Sequence, residues 1–127
     1  MPYLLNGKTG REERAERKTA KKANWLKVCQ AVDLRDGGRC RVCAKRVELG
    51  STFHDRVERH HIIPRSLGGQ DTTENIASLC VGCHDDRHKK GTLRISGNAD
   101  ERNEMGYLSG LTVERLTDAG WKAGGMR

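Results

Sequence analysis

Aromatic side chains are scarce in this sequence, with one Phe, two Trp and two Tyr among 127 residues. Apolar residues of every kind reach only 35%. So small a supply excludes a thick hydrophobic core, and it leaves one domain with tails instead of two independent cores. Nowhere does an apolar run approach the length of a membrane span, so no membrane partner is expected. The N-terminal residues carry no secretory-type apolar segment, which makes a reducing, cytoplasmic compartment the expected setting.

A domain this poor in apolar surface usually needs a staple. Cys40 and Cys43 form one C-x-x-C, Cys80 and Cys83 form a second, and Cys29 is left over. Paired knuckles of this kind match tetrahedral thiolate coordination of a structural Zn2+, each turn offering two sulfurs to one ion. Thirty-six residues lie between the pairs, enough to splice a functional module between them. A disulfide framework is the alternative, and the odd cysteine count and the lack of a secretory segment argue against it.

Acidic residues are outnumbered, 17 against 24 Lys and Arg, for a net charge of +7. That balance favours polyanionic partners. Residues 1–28 hold eight of the basic residues and three Glu. Within the helix-permissive run Gly10 to Lys22, Arg11, Arg14, Lys18 and Lys21 recur every three or four residues and share a face. Such a face is either a solvated helix or a basic arm for a phosphate backbone.

From Ala23 to Arg35 the pattern improves. Trp25, Val28, Cys29 and Val32 make a narrow apolar stripe, and Asp36-Gly37-Gly38 ends the helix. Residues 46–62 suggest a hairpin whose second strand carries His60 and His61, closed by Pro64. Arg65 to Glu74 reads as a loop, Asn75 to Leu79 as a strand, and Gly82 to Lys90 as a short helix stopped by Gly91. Thr92 to Ile95 suggests an edge strand and Ser96 to Gly110 a loop. Thr112 is a candidate N-cap for a helix reaching Ala119, with Leu116 inward and Gly120 as C-cap. The expected organisation is a basic arm (1–22), a central domain (23–91) and a C-terminal extension (92–127).

Adjacent strand residues face opposite ways, so His60 and His61 cannot serve the same face. Phosphodiester hydrolysis needs two distinct services of this kind: a cation on the phosphate and an imidazole that deprotonates water. His84 and His88 stand four apart on the expected helix, a spacing at which two imidazoles can share a cation. Weighed singly, these histidines also suit a plain zinc module, with His84 completing a site of three cysteines.

Thirteen residues lie between His61 and Asn75 and eight between Asn75 and His84. With Pro64, Gly68-Gly69 and Leu79-Cys-x-x-Cys-His84, this order resembles the HNH endonucleases of the ββα-metal (His-Me finger) superfamily, over roughly residues 37–90. The resemblance implies an α+β fold: a small ββα-metal core with zinc-stapled knuckles, a flanking N-terminal helix and a short C-terminal helix. It implies His61 as general base, Asn75 as the residue bracing the loop, and His60 and His84 as ligands of a catalytic divalent ion (Mg2+, Mn2+, Ni2+ or Zn2+). Colicin-type members use a third histidine at the spacing of His88, although many members with cysteine knuckles do without it. A lysine common in the family is replaced by Arg87, with Lys89 and Lys90 behind it, and Arg65 in the loop is a candidate phosphate clamp. The expected substrate is DNA, double-stranded and read with low sequence specificity. Small stand-alone members resemble phage- and prophage-encoded proteins, implying a bacterial or host cytoplasm. The rival expectations are a non-catalytic nucleic-acid-binding zinc module and an accessory subunit working with phage packaging proteins.

Overall fold

A computed structural model describes Gly7, residues 9–46 and residues 57–124. Helix α1 (Gly10–Asp36) opens the chain as one uninterrupted element of 27 residues, roughly 40 Å long. The Thr9 hydroxyl accepts the Glu12 N–H as N-cap, and Glu12 and Glu13 place negative charge on the first turn. Gly37, at φ 60°, ends the helix in the left-handed conformation that a Cβ would disfavour. The helix crosses the expected arm boundary near residue 22 without a break. Its two halves nevertheless differ. Residues 14–24 are exposed, whereas Val28, Cys29 and Val32 are buried and Trp25 is half-buried, as the apolar stripe predicts.

Strands β1 (Val57–His61) and β2 (Ile76–Cys80) pair antiparallel, with His60 opposite Ala77 and His61 opposite Ile76. The ladder gains one rung beyond β1, where the Ile62 N–H donates to the Asn75 carbonyl at 2.8 Å. Every residue of β2 is buried, because both faces of the strand are covered. Ile76 meets Val28 and Val32 of α1 on one side. Ala77 and Leu79 join Cys40, Val42, Ile62, Leu93 and Ile95 on the other. Helix α2 (Val81–His88) follows β2 directly, its N-terminus capped by the Cys80 sulfur. The first strand of the expected 46–62 hairpin falls mostly on residues 47–56, outside the described residues, and the described partner of β1 is β2.

The C-terminal extension departs from expectation. The helix predicted from Thr112 to Ala119 is instead strand β4 (Leu111–Thr117), turning into β5 (Gly120–Ala123). With β3 (Leu93–Gly97) they form a meander in the order β3-β4-β5, leaving β3 at an edge. The helix reading mistook turn chemistry for caps. Thr117 Oγ1 donates to the Gly120 carbonyl and accepts the Ala119 N–H, and Gly120 sits at φ 98°. The period is also two, with Leu111 and Val113 packing inward against the core cluster.

An ion cluster locks these parts together. Arg35 clasps the Asp36 carboxylate through Nε and Nη2 (2.7 and 2.9 Å), and reaches the Thr73 and Ile76 carbonyls and Asp100. Arg41 donates to the same Asp36 at 3.0 Å and to the Ala99 carbonyl. The Ser78 N–H donates to Asp36, and the Thr73 hydroxyl to Asp100. Burial works against charge on Asp36, yet the hydrogen bonds from Arg35 and Ser78 hold its carboxyl below the usual range.

Candidate active site

The pleat of β1 sorts its side chains onto two faces. Glu58 and His60 look toward α2, while Arg59 and His61 look toward α1, where Arg59 pairs with Asp33 at 2.5 Å. The expectation that His60 and His61 face opposite ways therefore holds.

On the α2 side, His60 meets His84 and His88, which stand one helical turn apart. His60 Nδ1 and His88 Nε2 are 3.2 Å apart, and one ring nitrogen from each of the three histidines lies within 4.8 Å of the others. His60 is only 3% exposed. Burial, then the neighbouring His88 and His84, push its pKa down to about 3, so the ring is neutral, as a metal ligand must be. Burial and His84 likewise lower His88. His60 Nε2 is buried with no hydrogen-bond partner among the described residues. Three clustered imidazoles, one with an unsatisfied nitrogen, fit a divalent cation better than they fit one another. Glu58 adds a carboxylate oxygen 3.0 Å from His84 Nδ1.

On the α1 side, His61 Nε2 lies 2.8 Å from Asp71 Oδ1, and the Trp25 indole stacks on the imidazole at 5.4 Å and 9°. Arg65 donates from Nε to the same Asp71 oxygen at 2.9 Å and places its guanidinium 4.9 Å from the Trp25 ring centre. The loop carrying these groups is drawn closed by Asn75. Its Oδ1 accepts the Ile63 N–H (2.8 Å), and its Nδ2 donates to the carbonyls of Ile63 and Gln70 (3.0 and 3.1 Å). Gly69 is required here, because a Cβ would stand 1.7 Å from the Ile63 carbonyl oxygen. A cavity of about 360 Å3 is lined by His60, His61, His84 and His88 together with Arg59, Pro64, Arg65 and Ser66, so both faces of β1 open into one space.

The four cysteines form a second, separate cluster, with one sulfur from each of Cys40, Cys43, Cys80 and Cys83 within 4.8 Å of the rest. None is in a disulfide, and Cys43 Sγ and Cys80 Sγ are 3.7 Å apart. In each knuckle a backbone N–H points at the first sulfur, Val42 at Cys40 and Cys83 at Cys80, both at 3.4 Å. The neighbouring Cys83 draws the Cys40 pKa down to about 4, while Cys83 itself is pushed up. Four crowded sulfurs can all become thiolates only around a cation, the arrangement of a structural zinc knuckle. Arg115 of β4 donates to Cys83 Sγ at 3.3 Å and to Asp86 at 2.9 Å. His84 stands with the histidines, not with these sulfurs.

The remaining sequence candidates are peripheral. The exposed Lys89 pairs with Asp85 and the exposed Lys90 with the buried Asp86, and neither lysine nor Arg87 lines the cavity. Arg11, Arg14, Lys18 and Lys21 are exposed on the N-terminal half of α1. Sequence reasoning missed Trp25, Asp71, Glu58 and Arg115 as neighbours of these groups. Glu58 carried a usable signal, being two residues before His60 on the same strand face.

Residues 40–90 match the family model described as HNH endonuclease. They are an HNH domain. The chain is also similar to two named proteins. It is 38% identical over 76 residues to the type IV methyl-directed restriction enzyme EcoKMcrA of Escherichia coli (strain K12), covering 57% of this chain and 24% of that protein. It is 40% identical over 42 residues to Anaredoxin of Nostoc sp. (strain PCC 7120 / SAG 25.82 / UTEX 2576), covering 33% of this chain and 54% of that protein. The chain thus spans about a quarter of one relative and about half of the other. Among the described residues, no helix is long and apolar enough to cross a membrane.

Proposed function

We propose that this protein is a metal-dependent HNH endonuclease that hydrolyses phosphodiester bonds of DNA. The observation carrying this reading is the shared cavity, into which His61 and the three-histidine cluster open from opposite faces of one strand. His60 and His84, joined by His88, are the ligands of the catalytic ion, and Cys40, Cys43, Cys80 and Cys83 hold a structural zinc. A divalent cation at the histidines supplies charge neutralisation at the scissile phosphate and at the departing 3′ oxygen.

The chain's own residues do the rest. His61 accepts a proton from water as the water oxygen bonds to phosphorus, the bond to the 3′ oxygen breaks, and solvent protonates that departing oxygen, leaving 5′-phosphate and 3′-hydroxyl ends. Asn75 keeps the loop closed so that His61 stays at the cavity. Arg65 lines the same cavity and contacts a phosphate oxygen. Arg87, Lys89 and Lys90, with Arg11, Arg14, Lys18 and Lys21 of α1, contact the backbone without reading bases, so binding is strongly salt-dependent. The E. coli relative is named for methyl-directed restriction; what this chain shares with it, on this reading, is the cleaving unit.

Incubating supercoiled plasmid with the protein in magnesium, manganese, nickel or zinc tests the proposal. Nicking with at least one cation, abolished by excess chelator, is the expected result. Retardation of the plasmid without cutting under every condition would replace the enzyme with a nucleic-acid-binding module.

A further inference from the structure

The HNH domain as matched begins at residue 40, yet one of the closest neighbours of His61 comes from α1. Three contacts converge on this imidazole or on the group that holds it. Asp71 Oδ1 is 2.8 Å from Nε2, Arg65 Nε binds that same oxygen at 2.9 Å, and Trp25 lies nearly parallel to the ring. From the residue before Trp25, the Asn24 side-chain amide donates to the Asp71 carbonyl at 3.4 Å, tying the loop to the helix a second time.

We infer that Asp71 and Trp25 are positioning residues for His61, selecting the tautomer in which Nε2 carries the proton and Nδ1 is the atom that accepts one from water. The inference rests on the reading of His61 as the general base. An ionised carboxylate can only accept a hydrogen bond, so its partner nitrogen must be the protonated one. The bonds from His61 and Arg65 hold Asp71 in that ionised form. A neutral imidazole has one N–H, and with Nε2 occupied the free lone pair belongs to Nδ1. A half-turn of the ring would set Cε1 against Asp71 in place of Nε2 and forfeit the bond. The indole face against the imidazole hinders that turn at every intermediate angle. Arg65 closes the arrangement, reaching Asp71 with Nε and lying over Trp25.

Full-length, zinc-bearing protein with nitrogen-15 histidine tests this in alkaline magnesium buffer, the His61 signals being assigned by their loss in His61→Gln. Wild type is expected to show a pyridine-like Nδ1 and a protonated Nε2, and Asp71→Ala a mixture of tautomers. In plasmid cleavage, Asp71→Ala and Trp25→Ala should each lower kcat by about ten- to a hundredfold, a fraction of what a general base supplies. KM should stay within about twofold, and Trp25→Phe, which keeps an aromatic face, should recover most of kcat. A protonated Nδ1 in wild type, or an unchanged kcat in Asp71→Ala, overturns the inference. Should Asp71→Ala fail to fold, the wild-type tautomer decides alone. Undiminished cleavage by His61→Gln would sink the general-base reading instead, whatever the wild-type tautomer.

Discussion

At the scale of single residues, the work is divided by the pleat of one short strand. His60 is buried, neutral and gathered with His84 and His88, whereas the next residue, His61, turns to Asp71 and Trp25. Glu58 belongs with the first group. Its carboxylate is 3.0 Å from His84 Nδ1, so with a cation at the proposed site it would be an outer partner that holds this ring in place. Glu58→Gln is therefore expected to raise the metal concentration needed for half-maximal cleavage by about 10- to 100-fold, with kcat at saturating metal largely kept. An unchanged midpoint in a metal titration would show that the contact orients nothing. The three histidines and the two knuckles were legible in the sequence because strand and helix periods dictate which residues share a face. Trp25 was legible only as part of an apolar stripe. Its stacking partner is 36 residues away and depends on how α1 crosses β2, which no local pattern encodes.

At the scale of elements, the knuckles and the C-terminal meander depend on each other. Arg115 of β4 reaches across to Cys83 and Asp86, bringing a positive charge to a thiolate cluster that is rich in negative charge once metallated. Arg115→Ala should hasten zinc transfer to a chelator by about tenfold, followed as absorbance of the chelator complex. Transfer at the wild-type rate would mean that the meander leans on the cluster without supporting it. This is also the region where the sequence misled. Thr112 and Gly120 have the chemistry of helix caps, but Leu111, Val113 and Arg115 alternate, and a strand of seven residues offers too few repeats for one period to exclude the other. The helix α2, by contrast, was bounded by two strong signals, the C-x-x-C turn and Gly91.

At the scale of the whole molecule, a thin core is supplemented by charge. Asp36 sits at the meeting point of α1, the first knuckle and β2, bound by Arg35, Arg41 and the Ser78 N–H, and its salt-bridged oxygens are fully buried. Asp36→Asn leaves two buried guanidinium groups short of a counter-charge and should cost about 3–5 kcal/mol in denaturant unfolding. The sign of the pH effect follows from a carboxyl whose pKa is lower folded than unfolded. Asp36 and Asp100 contribute their stability in full above the unfolded value of about 4, and lose it as pH falls further toward their folded values. Acid unfolding of the wild type should thus begin below about pH 4, and in Asp36→Asn that slope should be shallower. None of this network was legible beforehand, since Arg35, Asp36, Thr73 and Asp100 have no spacing that marks them as partners.

The same staples leave the cavity free to act, and the central claim concerns one ring within it. His61→Ala, with its zinc content and circular dichroism matching wild type, should leave supercoiled plasmid intact in a metal that supports wild-type nicking. Nicking by that variant at the wild-type rate would contradict the assignment of His61 as the base.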